Sequence, residues 1–145
     1  MLFVLLILGH ARRRVVHFNI TEHPTAQWTA QQVVDALPWD EAPRYLLRDR
    51  DRVYGASFRQ RVRHMGIVEV VISPRSPWQN PYVERLIGSI RRECLDHVIV
   101  LHERHLRRLL IEYFHIPSDL VVDRRTAYIE CSSALDFPWR HEAHA

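Results

Sequence analysis

The 145-residue chain contains no lysine, only two cysteines and only four glycines. Cys94 and Cys131 show none of the spacings of a zinc site or a disulfide framework, and the pair His102 and His105 lacks a third ligand. The scattered glycines exclude a glycine-rich phosphate loop, and neither an internal repeat nor a Ser/His/Asp arrangement is present. These absences remove nucleotide-binding loops, zinc modules and serine hydrolases from consideration.

Long apolar runs are also missing. The longest such stretch, residues 2–8, is too short to cross a bilayer. It lacks a preceding basic segment, and three arginines (residues 12–14) follow it where a signal peptide would have a small-residue cleavage site. We therefore predict a buried strand at residues 2–8 and a cytoplasmic protein without a membrane partner.

What the chain does have is the composition of one globular domain. Its length and its hydrophobic content of 47% suffice for a single core. The net charge is only +3, but all 20 basic residues are arginine. The planar guanidinium of arginine can bind a phosphate group through two hydrogen bonds, which lysine cannot do. A GC-rich genome would, however, produce the same bias toward arginine.

The order of predicted elements indicates the α/β class. Strands are expected at residues 2–8, 15–20, 44–48 and 67–72, and helices at 25–37, 57–64, from 81 onward and 102–114. Thr25 is suited to cap the first helix. No helical period and no motif is visible after residue 114, so we predict a divergent, poorly ordered tail at 115–145.

An acidic residue, Glu84, lies at the start of a predicted helix. Prolines punctuate residues 74–81, Asn80 is suited to the N-cap, and Pro81 is suited to the first helical position. An apolar stripe follows at helical spacing: Val83, Leu86, Ile87, Ile90, Cys94 and Leu95. Glu84 lies off the centre of this stripe, with Gly88 and Arg91 one and two turns beyond. It is either a metal ligand beside phosphate-binding arginines or a surface carboxylate favoured by the helix dipole.

A second acidic position follows the predicted strand 44–48. Asp49 ends that strand and Asp51 comes two residues later. A strand that ends in Asp directs a carboxylate to the edge of a sheet. Asp49 and Glu84 are 35 positions apart, and the intervening helix and strand allow them to meet. Mg²⁺ prefers such oxygen ligands, and two-metal phosphoryl transfer uses carboxylates in this way.

Taken together, these residues resemble the catalytic core of the integrase and insertion-sequence transposase family, the Asp-Asp-Glu polynucleotidyl transferases. The matching positions are Asp49 with Tyr54 five residues on, Phe58, residues 65–67, 73–74 and 78–84, and the segment 88–93. Arg52 stands where several relatives have glycine, which leaves both Asp49 and Asp51 as candidate ligands. The spacing to Tyr54 favours Asp49.

The resemblance implies a ribonuclease H-like mixed sheet flanked by helices, with residues 1–114 as a partial core domain. It also implies three carboxylates, of which the first belongs to the first strand. Residues 2–8 and 15–20 correspond to the second and third strands, and Asp35 lies late in a helix. We therefore expect the first strand and its Asp to be missing and the chain to be impaired or inactive in catalysis.

The implied cofactor is Mg²⁺ or Mn²⁺, held by Asp49 and Glu84, and the implied partner is DNA. Arg85, Arg91 and Arg92 flank Glu84 and are the favoured phosphate contacts. The loop residues Trp78, Gln79 and Asn80 complete the predicted DNA-binding set. An equally favoured interpretation is that these arginines form a solvated helix face without a DNA contact. Self-association, or pairing with an intact transposase, and a nucleoid-associated location also follow from the resemblance.

Several hypotheses remain open, both for the cause of the divergent tail and for the function of the chain. The match stops abruptly near residue 114, which favours a shifted reading frame in a decayed mobile element over a lineage-specific tail. The favoured function is a transposase or integrase core fragment acting in DNA integration and transposition. The alternatives are a non-catalytic DNA-binding or partner protein, a gene remnant without function and, more weakly, a ribonuclease H or resolvase-like nuclease.

Overall fold

The computed structural model of the chain describes residues 2–9, 14–37, 42–73, 81–114 and 128–137. The strands are β1 (Leu2–Gly9), β2 (Arg14–Thr21), β3 (Tyr45–Arg48), β4 (Val68–Val71) and β5 (Tyr128–Phe137). The helices are α1 (Ala26–Ala36), α2 (Ala56–His64), α3 (Pro81–Glu93) and α4 (Glu103–Phe114). A short 3₁₀ turn at Leu95–His97 joins α3 to the segment before α4.

The five strands form one mixed sheet in the order β2-β1-β5-β3-β4. β1 pairs antiparallel with both β2 and β5, whereas β3 pairs parallel with both β5 and β4. Four strands, β2, β5, β3 and β4, therefore run in the same direction, and β1 opposes them. This mixed α/β architecture is consistent with an integrase core fold.

β1 has a continuous apolar sequence, and both faces of this strand are buried. All eight residues of the strand are buried, and alternate side chains enter two separate cores. Phe3, Leu5 and Ile7 pack with α1 and α2 on one face, whereas Val4 and Leu6 pack with α3 and α4 on the other. A strand covered on both faces needs apolar residues at every position rather than at alternate ones.

The helices behave as their sequences predict. Thr25 caps α1, and its hydroxyl oxygen accepts a hydrogen bond of 3.1 Å from the Trp28 backbone N–H. The apolar stripe of α3 is buried at Val83, Ile87 and Ile90. The predicted strands and helices up to residue 114 are confirmed within a residue or two at each end.

The structure differs from the sequence-based expectation at residues 128–137. No regular element was expected after residue 114, yet β5 runs between β1 and β3 and pairs with both. β5 thereby joins the β1–β2 pair and the β3–β4 pair into one sheet. The polar residues of β5 do not alternate with apolar ones, so the sequence of this strand gives no period-2 signal.

Candidate metal centre

The candidate site lies at one edge of the sheet. Asp49 follows the last residue of β3, at the carboxyl end of the parallel strands. Glu84 lies in the first turn of α3, the helix that follows β4 along the chain. In open α/β sheets this edge is the usual location of ligand sites, because loops from neighbouring parallel strands meet there.

The loop after β3 is a hydrogen-bonded turn built from its acidic side chains. The Asp49 Oδ1 atom accepts a bond of 3.1 Å from the Asp51 N–H, and the Asp51 Oδ1 atom accepts one of 3.2 Å from the Val53 N–H. The Tyr54 N–H donates to the Asp51 carbonyl at 3.2 Å. Such bonds to a backbone N–H two residues on are typical of Asp in turns, and they fix the direction of the chain after the strand.

Arg48, the last residue of β3, holds this loop through side-chain hydrogen bonds. Its Nε atom donates to Glu69 Oε2 on β4 at 2.6 Å, and its Nη1 atom donates to the Asp49 carbonyl at 2.9 Å. The arginine is only 7% exposed and Glu69 is half-buried, so the ion pair is largely shielded from solvent. The same guanidinium therefore joins β3 to β4 and holds the backbone of Asp49.

Two aromatic rings complete the surroundings of Arg48. Its guanidinium carbon lies 5.2 Å from the Tyr54 ring centroid and 6.0 Å from that of Phe58. The two rings meet edge to face at 4.9 Å and are themselves buried. Sequence reasoning missed Arg48; the available signal was an arginine at the last position of an otherwise buried strand.

Asp49 and Glu84 act on each other electrostatically. Desolvation is the largest cause that raises the pKa of the Glu84 carboxyl, followed by the negative charge of Asp49, while the charge of Arg91 lowers it. The Glu84 side chain keeps contact with solvent. Two carboxylates that are distant in sequence thus lie near each other at the edge of the sheet, with a cation beside them.

The two candidate aspartates differ in their surroundings. Asp49 is half-buried and is the acidic neighbour that raises the pKa of Glu84. Asp51 is exposed and directs a carboxylate oxygen to the Val53 N–H. Of the two, Asp49 is the one whose charge acts on Glu84, and the assignment of Asp49 as a metal ligand stays a prediction.

The arginines of α3 present their charge to solvent. Arg85, Arg91 and Arg92 are all exposed. The Arg92 guanidinium lies over the backbone of Gly88, where an added Cβ atom would be 3.1 Å from its Nη1 atom. The predicted contact residues Trp78, Gln79 and Asn80 lie outside the described residues.

The residues present fit a single hard cation better than a pair. Asp49 and Glu84 supply carboxylate oxygens, and Mg²⁺ commonly uses one or two carboxylates together with waters and substrate phosphates. Across the described ranges, no group of three or more His, Cys, Asp or Glu side chains is arranged to hold a metal ion. Two carboxylates alone do not provide the shared ligands that a two-metal site requires.

The other candidate ligands have structural roles. The His102 Nδ1 atom accepts a bond of 3.1 Å from the His105 N–H at the start of α4, which satisfies a backbone donor of the first turn. Asp35 is exposed on α1 and accepts a bond of 2.8 Å from the Gln31 amide. Cys94 is half-buried and packs beside the core formed with α3 and α4, as its position in the apolar stripe predicts.

A family model matches part of this chain. No helix in the described part of the chain combines the length and apolar character needed to cross a membrane. A search of curated proteins gives no match. Residues 65–116, about a third of the chain, match the family model described as Integrase core domain, and this stretch includes α3 with Glu84. The match supports the assignment of this chain to the integrase and transposase catalytic core family.

Proposed function

We propose that this chain has a transposase or integrase core role and that its Asp49 and Glu84 form a weak site for one Mg²⁺ or Mn²⁺ ion next to bound DNA. The integrase core family acts on DNA and generally uses divalent metals. The proposal carries these properties to two named residues of this chain. It also assigns the phosphate contacts beside them to the arginines of α3.

One observation carries the proposal. Two carboxylates from different elements approach at the carboxyl edge of a parallel sheet, closely enough for the charge of Asp49 to raise the pKa of Glu84. Like charges are unfavourable neighbours unless a cation or a shared proton offsets them. A divalent ion would remove the part of this repulsion that the Arg91 charge does not offset.

The surrounding residues have definable tasks in this arrangement. The bond from Arg48 to the Asp49 carbonyl holds the loop, so the Asp49 carboxylate starts from a fixed backbone. Arg91 offsets part of the negative charge at Glu84 and, with Arg85 and Arg92, presents donors to a phosphodiester. A bound divalent ion supplies charge stabilisation at the phosphate and a lowered pKa for its bound water.

We further propose that residues 1–145 alone do not catalyse strand transfer. The described residues bring two carboxylates together, and efficient in-line attack requires accurate positioning of the nucleophile by the complete set. β5 occupies the strand position beside β3, but its register pairs Arg48 with Cys131, so Ser132 is the residue that follows at the level of Asp49. In the described part of β5, the residue at the level of Asp49 is therefore a serine and not an acidic residue.

The metal site is tested by calorimetric titration of the purified chain with Mn²⁺. We expect saturable binding in the parent chain, a large loss in Asp49→Asn and Glu84→Gln, and unchanged binding in the control Asp51→Asn. Equal binding in all four proteins would overturn the assignment. If Asp51→Asn alone lost binding, Asp51 would replace Asp49 as the ligand.

The proposed defect is tested by adding a carboxylate to β5. Successive strand residues face opposite sides of a sheet, so Ser132→Asp and Ser133→Asp form a matched pair. We expect one of the two variants to bind Mn²⁺ more tightly and to nick duplex DNA, while the parent chain does not. Nicking by the parent chain would show that the catalytic set is already complete.

The exposed arginines on α2 and α3 favour a second candidate, a non-catalytic DNA-binding protein that needs no metal. α2 contains Arg59, Arg61 and Arg63 and no acidic residue. DNA binding that is equally strong with Mn²⁺ and with a chelator, together with no Mn²⁺ binding by the free chain, would favour this candidate.

A further inference from the structure

A groove separates α1 from α2 on the face of the sheet opposite α3. Its volume is about 500 Å³, and its buried floor is formed by Ala30. Gln27 and Gln31 line it from α1, and Ser57, Gln60, Arg61 and His64 line it from α2. None of the described lining residues is a carboxylate, so they offer an arginine, a histidine, amides and a hydroxyl, all of which can donate hydrogen bonds.

The topology fixes the direction of the groove. α1 connects β2 to β3 and α2 connects β3 to β4, and these three strands run in the same direction. Both helices therefore begin at the carboxyl edge of the sheet, where Asp49 and Glu84 lie. The close approach of Gly55 to Ala26, where an added Cβ atom would meet the Ala26 Cβ at 3.1 Å, places the two starting turns together.

The electrostatics at this end of the groove favour an anion. Neither helix has an acidic residue in its first turn, and α2 has no side-chain cap at Gly55. Two helix N-termini thus direct partial positive charge to the end of the groove that adjoins the acidic loop. Asp35 bonds to Gln31 from one turn further along α1, and it is not one of the groove-lining residues.

We infer that this groove binds the phosphate backbone of a DNA strand that continues from the Asp49 and Glu84 site. This inference rests on the proposed function. Along α2, the distance from Ser57 to His64 is about 10 Å at 1.5 Å per residue, which corresponds to roughly three nucleotides at 3.4 Å per step. Apart from the His64 imidazole, the described residues that line the groove offer no ring for base stacking, so contacts go mainly to phosphate and sugar rather than to bases.

The test measures binding of the full chain to a fluorescently labelled DNA duplex over a range of salt concentrations. Arg61→Gln removes the charge within the groove, and Arg63→Gln is the matched control, because Arg63 is exposed on the same helix but is not among the lining residues. The loss of one phosphate contact should reduce the salt slope by about 0.9 in Arg61→Gln. The slope should fall clearly less in Arg63→Gln than in Arg61→Gln, because Arg63 lies outside the groove.

A second pair of variants tests the groove without removing an arginine. Gln60→Glu places a negative charge in the groove, and Arg59→Gln changes the charge of α2 outside it. We expect the first to weaken DNA binding at least tenfold and the second to have a smaller effect. Thermal unfolding of each variant checks that the exposed substitution leaves the fold intact.

The outcomes separate this inference from the proposed function. Equal slopes for Arg61→Gln, Arg63→Gln and the parent chain would overturn the groove, even if Glu84→Gln abolishes Mn²⁺ binding. A groove effect without any Mn²⁺ binding would retain the groove and remove the metal site. If inorganic phosphate at millimolar concentration displaced DNA in the parent chain and equally in Arg61→Gln, the groove would be unselective for a DNA backbone, which also contradicts the inference.

Discussion

β1 and β5 are neighbouring strands in the middle of the same sheet, and each pairs along both of its edges. β1 consists of apolar residues and one glycine, and its sequence alone predicts a buried strand. β5 mixes aromatic, acidic and small polar residues and carries no such signal. A central strand can be recognised from its sequence when its own side chains are apolar and form the core, as in β1. It cannot be recognised when its position depends on backbone pairing with neighbouring strands, as in β5.

The order of pairing in the chain deepens this contrast. β1 and β2 are adjacent in sequence and form a local antiparallel pair. β5 comes from the far end of the chain and joins that pair to β3 and β4. Without β5, the sheet would separate into two two-stranded units with unpaired edges, and a two-stranded unit has little stability of its own.

Deletion of residues 115–145 gives the largest expected effect. We expect the remaining chain to lose cooperative thermal unfolding, because the backbone hydrogen bonds that join the two halves of the sheet are gone. Circular dichroism melting measures this, with deletion of residues 138–145 as the control that keeps β5. A synthetic peptide of residues 128–137 added to the shortened chain should partly restore the transition. Unchanged cooperativity in the shortened chain would show that β5 is dispensable.

Substitution within β1 should have a smaller but still large effect. Leu5 is fully buried in the core with α1 and α2. Leu5→Ala should lower the free energy of unfolding by about 2–5 kcal/mol, through lost burial and the cavity left behind. Val68→Ala on the edge strand β4 is the control, since Val68 is 54% exposed. Chemical denaturation gives both values, and similar losses at the two positions would contradict the assignment of β1 as the central core strand.

The buried ion pair between β3 and β4 ranks next. Arg48→Met should destabilise the fold by about 3 kcal/mol, because Glu69 is left largely buried without its cation. The control is Arg50→Met, since Arg50 is exposed and its Nε atom donates to the Ile72 carbonyl. Glu69→Gln, alone and combined with Arg48→Met, completes a double-mutant cycle. A coupling free energy near zero would mean that the two residues act independently.

The smallest expected effect lies outside the sheet. Burial and the bond from the Tyr113 hydroxyl to Glu93 Oε2 at 2.8 Å raise the pKa of Tyr113 to about 12. The folded chain therefore holds this proton at pH values where the unfolded chain, with a tyrosine pKa of about 10, releases it. Stability from this group is complete below pH 10 and declines as the pH rises toward 12. Tyr113→Phe should flatten that decline in melting experiments, whereas an identical slope in both proteins would exclude the bond as its cause.

The sequence predicts those features of the fold and of the site that depend on neighbouring residues in the chain. The cap at Thr25, the stripe of α3 and the end of β3 at Asp49 each follow from residues next to one another in the chain, and each is confirmed. The Arg48–Glu69 pair was not predictable in this way, because it depends on the parallel pairing of β3 with β4. The groove between α1 and α2 likewise depends on how two crossover helices pack.

The most direct test of the central claim is thermal unfolding of the full chain with and without Mn²⁺, alongside Glu84→Gln and the exposed control Arg85→Gln. An ion that binds only the folded state raises the melting temperature according to its affinity. We expect a rise with Mn²⁺ in the parent chain and in Arg85→Gln, and none in Glu84→Gln. An equal rise in all three proteins, or no rise in the parent chain, would contradict a metal site formed by Asp49 and Glu84.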